Sequence, residues 1–276
     1  MIFTAESQEI TEGGPRTGLP LAATMGHPVS SYVELLEKIA QLNYSNSRFR
    51  LLFRGQNRDY RLDMRGEKGR RSILYPSILR PVSGNERETM LDQRFIRLKK
   101  AEERLIAELP ATDILGLRMV RWAVLQHYKV CETPLLDVTL SLQCALSFAF
   151  DYGESEDAHL YVLAVPHLTG PVSISTESMT QAIDLAQVCP PNALRPHFQS
   201  GILLGDYPEY ADRRETGRGK GFVDNDFSCR LLTKFRLLNF SGWLGEGFRP
   251  TEKRVLFPDE RDEWFPILQR IRSSLG

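Results

Sequence analysis

The chain has 276 residues, 42% apolar and 25% charged, which suits one large or two small globular domains around a sizeable core. Its 35 basic and 35 acidic residues cancel, which argues against a main task of coating nucleic acid or an anionic membrane and leaves room for a local basic pocket. No apolar run reaches the ~20 residues that span a bilayer, and the N-terminus lacks the basic start and apolar run of a secretory signal, so a cytoplasmic location is expected.

Residues 1 to about 28 are rich in Gly, Pro, Thr and Glu without sustained periodicity, and predict a poorly ordered lead-in. Ser30 or Ser31 then caps a helix whose apolar positions include Val33, Leu35, Leu36, Ile39, Ala40 and Leu42. Residues 48 to 54 alternate as a half-buried strand, with Phe49, Leu51 and Phe53 on one face and Arg48, Arg50, Leu52 and Arg54 on the other. Residues 56 to 72 read as a long polar loop, and 73 to 80 as a short apolar segment broken by Pro76. Asn85 precedes an amphipathic helix ending at Pro110, and a second helix is expected over 113 to 127.

Thr133-Pro134 turns the chain into a strand over 135 to 139, and Ser141 is placed to cap a helix carrying Leu142, Ala145, Leu146 and Ala149. Residues 159 to 165 read as a buried strand, 178 to 188 as a helix, 198 to 204 and 228 to 240 as strands, and 264 to 271 as a final helix. The charged stretch 205 to 226 reads as a loop or insertion, and 241 to 250 as a Gly-rich connection. Helices and strands mix without regular βαβ alternation, so the expected class is α+β.

Cys131, Cys144, Cys189 and Cys229 form no CxxC pair and have no histidines at zinc-ligand spacing, so no metal site is expected. They fit a reducing compartment and read as small buried hydrophobes, with a nucleophilic Cys131 as the alternative.

Two segments hold polar groups at the edges of apolar elements. In Phe53-Arg54-Gly55-Gln56, Arg54 offers a rigid fork of donors for phosphate or carboxylate, Gly55 lets a ligand or another backbone approach, and Gln56 can donate and accept. Arg54 could equally be an edge-strand residue paired with a structural acid. In the second segment Gln126-His127-Tyr128 ends a helix, and Asp137 and Thr139 share one strand face, which lines either a polar pocket or an internal hydrogen-bonded network. The expectation is that Arg54, His127, Asp137 and Thr139 form one site.

The chain resembles the FRG-domain family over roughly residues 29 to 260. The likeness rests on Phe53-Arg54-Gly55-Gln56, Tyr75-Pro76-Ser77-Ile78-Leu79-Arg80, Gln126-His127-Tyr128, Thr133-Pro134-Leu135-Leu136-Asp137-Val138-Thr139 and Ala145-Leu146-Ser147-Phe148-Ala149. Fainter echoes follow in Arg195-Pro196-His197-Phe198-Gln199-Ser200-Gly201 and Leu256-Phe257-Pro258-Asp259. The chain departs from the family at Lys129-Val130-Cys131-Glu132, where members often carry a Gly and a short apolar residue, and in the insertion near 205–226. The expected organisation is a lead-in over 1–28 and a single FRG-like α+β domain over 29–276, with a mixed, mostly antiparallel sheet and flanking helices.

More distantly, the chain resembles ADP-ribosyltransferases, which implies a core of that type and NAD as a substrate. That resemblance implies that Arg54, Gly55, Gln56, Tyr128 and Thr139 hold the dinucleotide. It also implies catalytic work by Arg54, His127, Asp137, Thr139 and a late residue, Gln199 or, as runner-up, Glu246. Cleavage of a nicotinamide–ribose bond passes through an oxocarbenium-like state that a nearby carboxylate or amide dipole can stabilise. The implied activity is an NAD-dependent ADP-ribosyltransferase or NAD glycohydrolase in toxin action or phage defence, with a nucleotide ligand and a macromolecular acceptor. The alternative is a non-catalytic sensor or binding module for a phosphorylated small molecule. A nucleic-acid ligand, through the loop carrying Arg58, Arg61, Arg65, Arg70 and Arg71, is disfavoured by the zero net charge.

Overall fold

Ser31 opens the first long helix: its hydroxyl accepts the Glu34 amide at 3.3 Å, and Leu35, Ile39 and Leu42 then fall on one buried side. The structure is a computed structural model that describes residues 19–63, 70–80, 87–109, 113–166, 169–209 and 226–276. Its elements in chain order are α1 (Leu19–Ala23), β1 (His27–Val29), α2 (Tyr32–Ser45), β2 (Phe49–Gln56), β3 (Arg61–Asp63) and β4 (Arg70–Ser72). They continue with α3 (Arg87–Glu108), α4 (Arg118–His127), β5 (Leu136–Thr139), α5 (Leu142–Ala149), β6 (Ala158–Pro166), β7 (Val172–Ser175) and β8 (Thr180–Asp184). The last are α6 (Leu185–Val188), α7 (Leu194–Gln199), β9 (Gly201–Asp206), β10 (Leu231–Leu237), α8 (Phe240–Gly245), α9 (Lys253–Leu256) and α10 (Trp264–Ser273).

The chain divides into two compact units. The first gathers the described residues within Met1–Leu74, Val138–His167 and Phe227–Leu256. The second gathers those within Tyr75–Asp137, Leu168–Asp226 and Phe257–Gly276. Strands pair mostly antiparallel, with β1 and β10 parallel, and helices flank them, so the architecture is α+β with a mixed sheet.

In the first unit the strand order is β1-β10-β6-β2, and β2 meets β5 through Phe53 opposite Thr139. Leu51, Phe53, Leu160, Val162, Phe235 and Leu237 project to one face and join Leu35 and Ile39 of α2 and Ala145 and Leu146 of α5 in a single core. Phe150, Phe240, Trp243 and Phe248 close its end, with ring centroids 4.7 to 6.2 Å apart in tilted and edge-on arrangements. Part of the lead-in belongs here: Leu21 and Ala22 of α1 are buried.

In the second unit β9, β8 and β7 form an antiparallel run. The helix α3 turns Leu91, Phe95, Leu98, Ala101 and Leu105 inward, and α4 is buried along most of its length. Arg270 of α10 reaches Glu108 at the end of α3 at 3.1 Å.

Several expectations differ from the structure: the lead-in contains α1 and the start of β1, and residues 198–199 end α7, so the strand expected over 198–204 begins at Gly201. Residues 180–184 are the strand β8 rather than helix; all five are buried, so no polar positions alternate to reveal the period. The long polar loop contains the β3–β4 hairpin, held by backbone pairing with hardly an apolar residue. The Gly-rich connection opens with α8, whose Trp243 is anchored in the core by an indole donating to the Leu238 carbonyl at 2.9 Å. Most of the charged stretch 205–226 lies outside the described residues. No described helix is long and apolar enough to cross a membrane.

Candidate functional site

The alternation of β2 divides the Phe-Arg-Gly triplet between two faces of the sheet. Phe53 enters the core. Gly55 points the same way and lies under α5, where an added Cβ would be 1.8 Å from the Ala145 carbonyl oxygen and 2.8 Å from the Ala149 nitrogen. The glycine therefore admits a helix backbone, and the small Ala145 and Ala149 belong to the same close approach. Arg54 and Gln56 project to the opposite face.

On that face the register lines up polar groups from three strands. Arg54 lies opposite Tyr161, and Tyr161 opposite Lys234. One row on, Gln56 lies opposite His159, and His159 opposite Arg236. Directly paired residues share a face with Cβ atoms about 4.5 to 5.5 Å apart, so Gln56, His159 and Arg236 form a contiguous row. Gln56 Oε1, His159 Nδ1 and Arg236 Nε are all buried and have no hydrogen-bond partner among the described residues. All three residues stay partly open to solvent.

Beneath this row sits a closed polar node. Lys234 is fully buried, and its Nζ donates to the Thr24 carbonyl at 2.6 Å, Ser72 Oγ at 2.8 Å and Asp59 Oδ2 at 3.1 Å. Asp59 also accepts from Ser72 Oγ at 2.6 Å and from the Tyr161 hydroxyl at 2.9 Å. Burial pushes the Asp59 carboxyl up, but the Ser72 hydrogen bond, the Lys234 charge and the Tyr161 hydroxyl outweigh it and hold the group below its usual range. The Tyr161 phenol is raised by burial and then by the Asp59 charge. The His159 imidazole is lowered, first by burial; Lys234 and Arg236 add to this, and Asp59 and Asp157 oppose it. The face thus combines fixed cations with a ring held toward neutrality.

The Gln126-His127-Tyr128 segment belongs to the second unit and is largely a structural lock. Gln126 Oε1 accepts from Ser77 Oγ at 2.6 Å and from Thr133 Oγ1 at 3.1 Å, tying Tyr75-Pro76-Ser77 to Thr133-Pro134. Tyr128 is fully buried, and its hydroxyl donates to Asp262 at 2.7 Å. Burial and then Asp262 raise the phenol far above its ordinary range. Arg195 lies over the rings of Tyr128, Phe257 and Phe265, donates to the His127 carbonyl at 3.2 Å and pairs with Asp259 at 2.5 Å. The expected place of Tyr128 at a cofactor is therefore taken by an anchoring role. His127 and Asp137 do come together: Nδ1 is 3.5 Å from the Asp137 carboxylate, and the imidazole is buried while Asp137 keeps access to solvent. Gly201 packs on the ring, where a Cβ would sit 2.8 Å from Cε1.

The remaining expected residues make contacts within their own units. Thr139 is directly opposite Phe53, so it shares the face of Phe53 and not that of Arg54. Its Oγ1 accepts the Ser141 amide at 2.9 Å, and Ser141 caps α5 by accepting the Cys144 amide at 3.1 Å. Glu246 accepts from Ser31 Oγ at 2.9 Å and from the Val33 amide at 3.1 Å, so it serves the start of α2; those two bonds lower its pKa. Gln199 is buried at the end of α7 in the second unit, to which His127 and Asp137 also belong, while Arg54, Gly55, Gln56 and Thr139 belong to the first. Sequence reasoning overlooked His159, Arg236, Lys234 and Asp59. The spacings His159-x-Tyr161 and Lys234-x-Arg236, polar at every second position inside apolar strands, were the available signal.

A family model described as FRG domain matches residues 49–158. No curated protein and no solved structure matches the chain.

Proposed function

From the premise that the chain carries an FRG domain, we propose that it binds a phosphate-bearing nucleotide on the Arg54–Gln56–His159–Arg236 face, as a sensor or binding module. The observation that carries this reading is the row of three buried polar atoms on Gln56, His159 and Arg236 that have no hydrogen-bond partner among the described residues. Such groups cost free energy unless something completes them. Cations flanking an amide and a neutral imidazole suit an anionic group carried on a polar organic body.

NAD is the first candidate, because its pyrophosphate meets the cations and its bases and riboses offer donors and acceptors to Gln56 and His159. Turnover is less well supported. Cleavage of the ADP-ribosyltransferase type would need a hydroxyl strand and a late carboxylate or amide, Gln199 or Glu246, beside Arg54. The placements of Thr139 and Glu246 favour binding without release of nicotinamide.

Calorimetric titration with NAD and ADP, alongside an assay for free nicotinamide, tests the proposal. Binding without release is expected, weakened about 10- to 100-fold in Arg54→Ala, as for loss of a hydrogen bond to a charged group. Nicotinamide release that disappears in Arg54→Ala would establish the enzymatic reading instead. Indifference to NAD, ADP and inorganic pyrophosphate would remove the nucleotide altogether.

A further inference from the structure

We propose that His159 sets the anion preference of this face: it holds the ligand's phosphate as an imidazolium, so binding takes up one proton. The inference rests on the binding reading above and specifies its chemistry. His159 occupies the middle of the Gln56–His159–Arg236 row, so an anion seated between the flanking residues meets its ring. Its Nδ1 is buried without a hydrogen-bond partner among the described residues. Protonated, that nitrogen would donate to a phosphoryl oxygen.

The charges around the ring show why the proton should arrive with the ligand. From β10 come Lys234 and Arg236, from β2 Arg54 and the neutral Gln56, and from the loop after β2 comes Asp59; on its own strand and the approach to it lie Tyr161 and Asp157. Asp59 is already engaged by Lys234, Ser72 and Tyr161, so it compensates little further charge. Without an anion, burial and the cations of β10 keep His159 neutral at neutral pH. A phosphate at the row reverses the balance, because a negative charge within a few ångströms favours the protonated ring. The proton comes from solvent, and no covalent bond forms or breaks.

The test is titration of the full chain with NAD in two buffers of different ionisation enthalpy. NAD is preferred to ADP, whose terminal phosphate itself titrates near pH ~6. Uptake of about one proton per NAD is expected near neutral pH, with affinity rising by up to about tenfold per pH unit on acidification. In His159→Gln the uptake disappears, and the affinity loss is greater at pH ~6 than at pH ~8. In Arg236→Gln binding weakens but proton uptake persists, which separates the titrating group from the fixed charge. Binding of NAD by the wild type with no proton exchange overturns the role of His159 and leaves the binding face standing. NAD affinity unchanged in Arg54→Ala, or absent at every pH, overturns the binding face and this inference with it.

Discussion

Gly55 and Ala145 meet backbone to backbone, with room between them for a hydrogen and not for a methyl group. A Gly55→Ala chain must therefore move α5 away from the sheet. Overpacking a well-filled core costs about 1 to 3 kcal/mol, and a backbone obstacle belongs at or above the upper end. Urea unfolding should show a loss of at least about 3 kcal/mol. Gly245→Ala is the control: an added Cβ meets nothing within 4 Å, so its midpoint should stay put.

Lys234→Met should unfold the first unit far more easily than its size change implies. The buried ammonium has three acceptors, and its removal strands Asp59 beside Ser72 and Tyr161. Breaking a buried pair from one side costs about 3 to 5 kcal/mol. The wild-type pH profile has a defined sign. Asp59 is held below the ordinary carboxylate range, so its contribution is complete above that range and is lost as pH falls through the lower folded-state pKa. In Lys234→Met the acid loss should move to higher pH. An unchanged acid limb in that variant would show that Lys234 does not stabilise the Asp59 carboxylate.

Arg195→Lys should destabilise the second unit by about 2 kcal/mol, because an ammonium cannot serve the His127 carbonyl and Asp259 while keeping the guanidinium's contacts with three rings. Tyr128→Phe should cost about 1 kcal/mol, since Asp262 keeps the amides of Arg195, Trp264 and Phe265 as donors. Equal midpoints for Arg195→Lys and wild type would dismiss the clasp.

The native protein should resist thiol reagents at Cys131. Its thiol is pushed up to about 12, chiefly by burial and then by the Glu132 charge, so almost no thiolate exists at neutral pH. Cys189 is raised further, again by burial. Cys229 is the more accessible position and should label first. Rapid native labelling at Cys131 would reopen its role as a nucleophile.

What could be read from the chain alone depended on whether neighbouring residues carried the signal. Ser141 and the stripe Leu142, Ala145, Leu146 and Ala149 announce α5 because capping and helical period are local. The strand β8 escapes because Thr180-Gln181-Ala182-Ile183-Asp184 is buried on both faces despite its polar composition. Of the proposed face, Arg54 and Gln56 were legible in the sequence, and His159 and Arg236 were not. Arg54 stands out beside Gly55, but Gln56, His159 and Arg236 lie more than a hundred residues apart in sequence from first to second, and only strand register makes them neighbours. Thr139 illustrates the converse: strand period describes its own element correctly and says nothing of which face of β2 it joins.

The division of labour along β2 also fixes what evolution or an engineer can do to it. Exchanging a side chain alters one surface, whereas deleting a single residue upstream of Phe53 would rotate the whole ribbon by half a turn. The arginine would then be driven against the α5 helix and the phenylalanine set among charges, so that the packed core and the polar face would be lost in the same stroke.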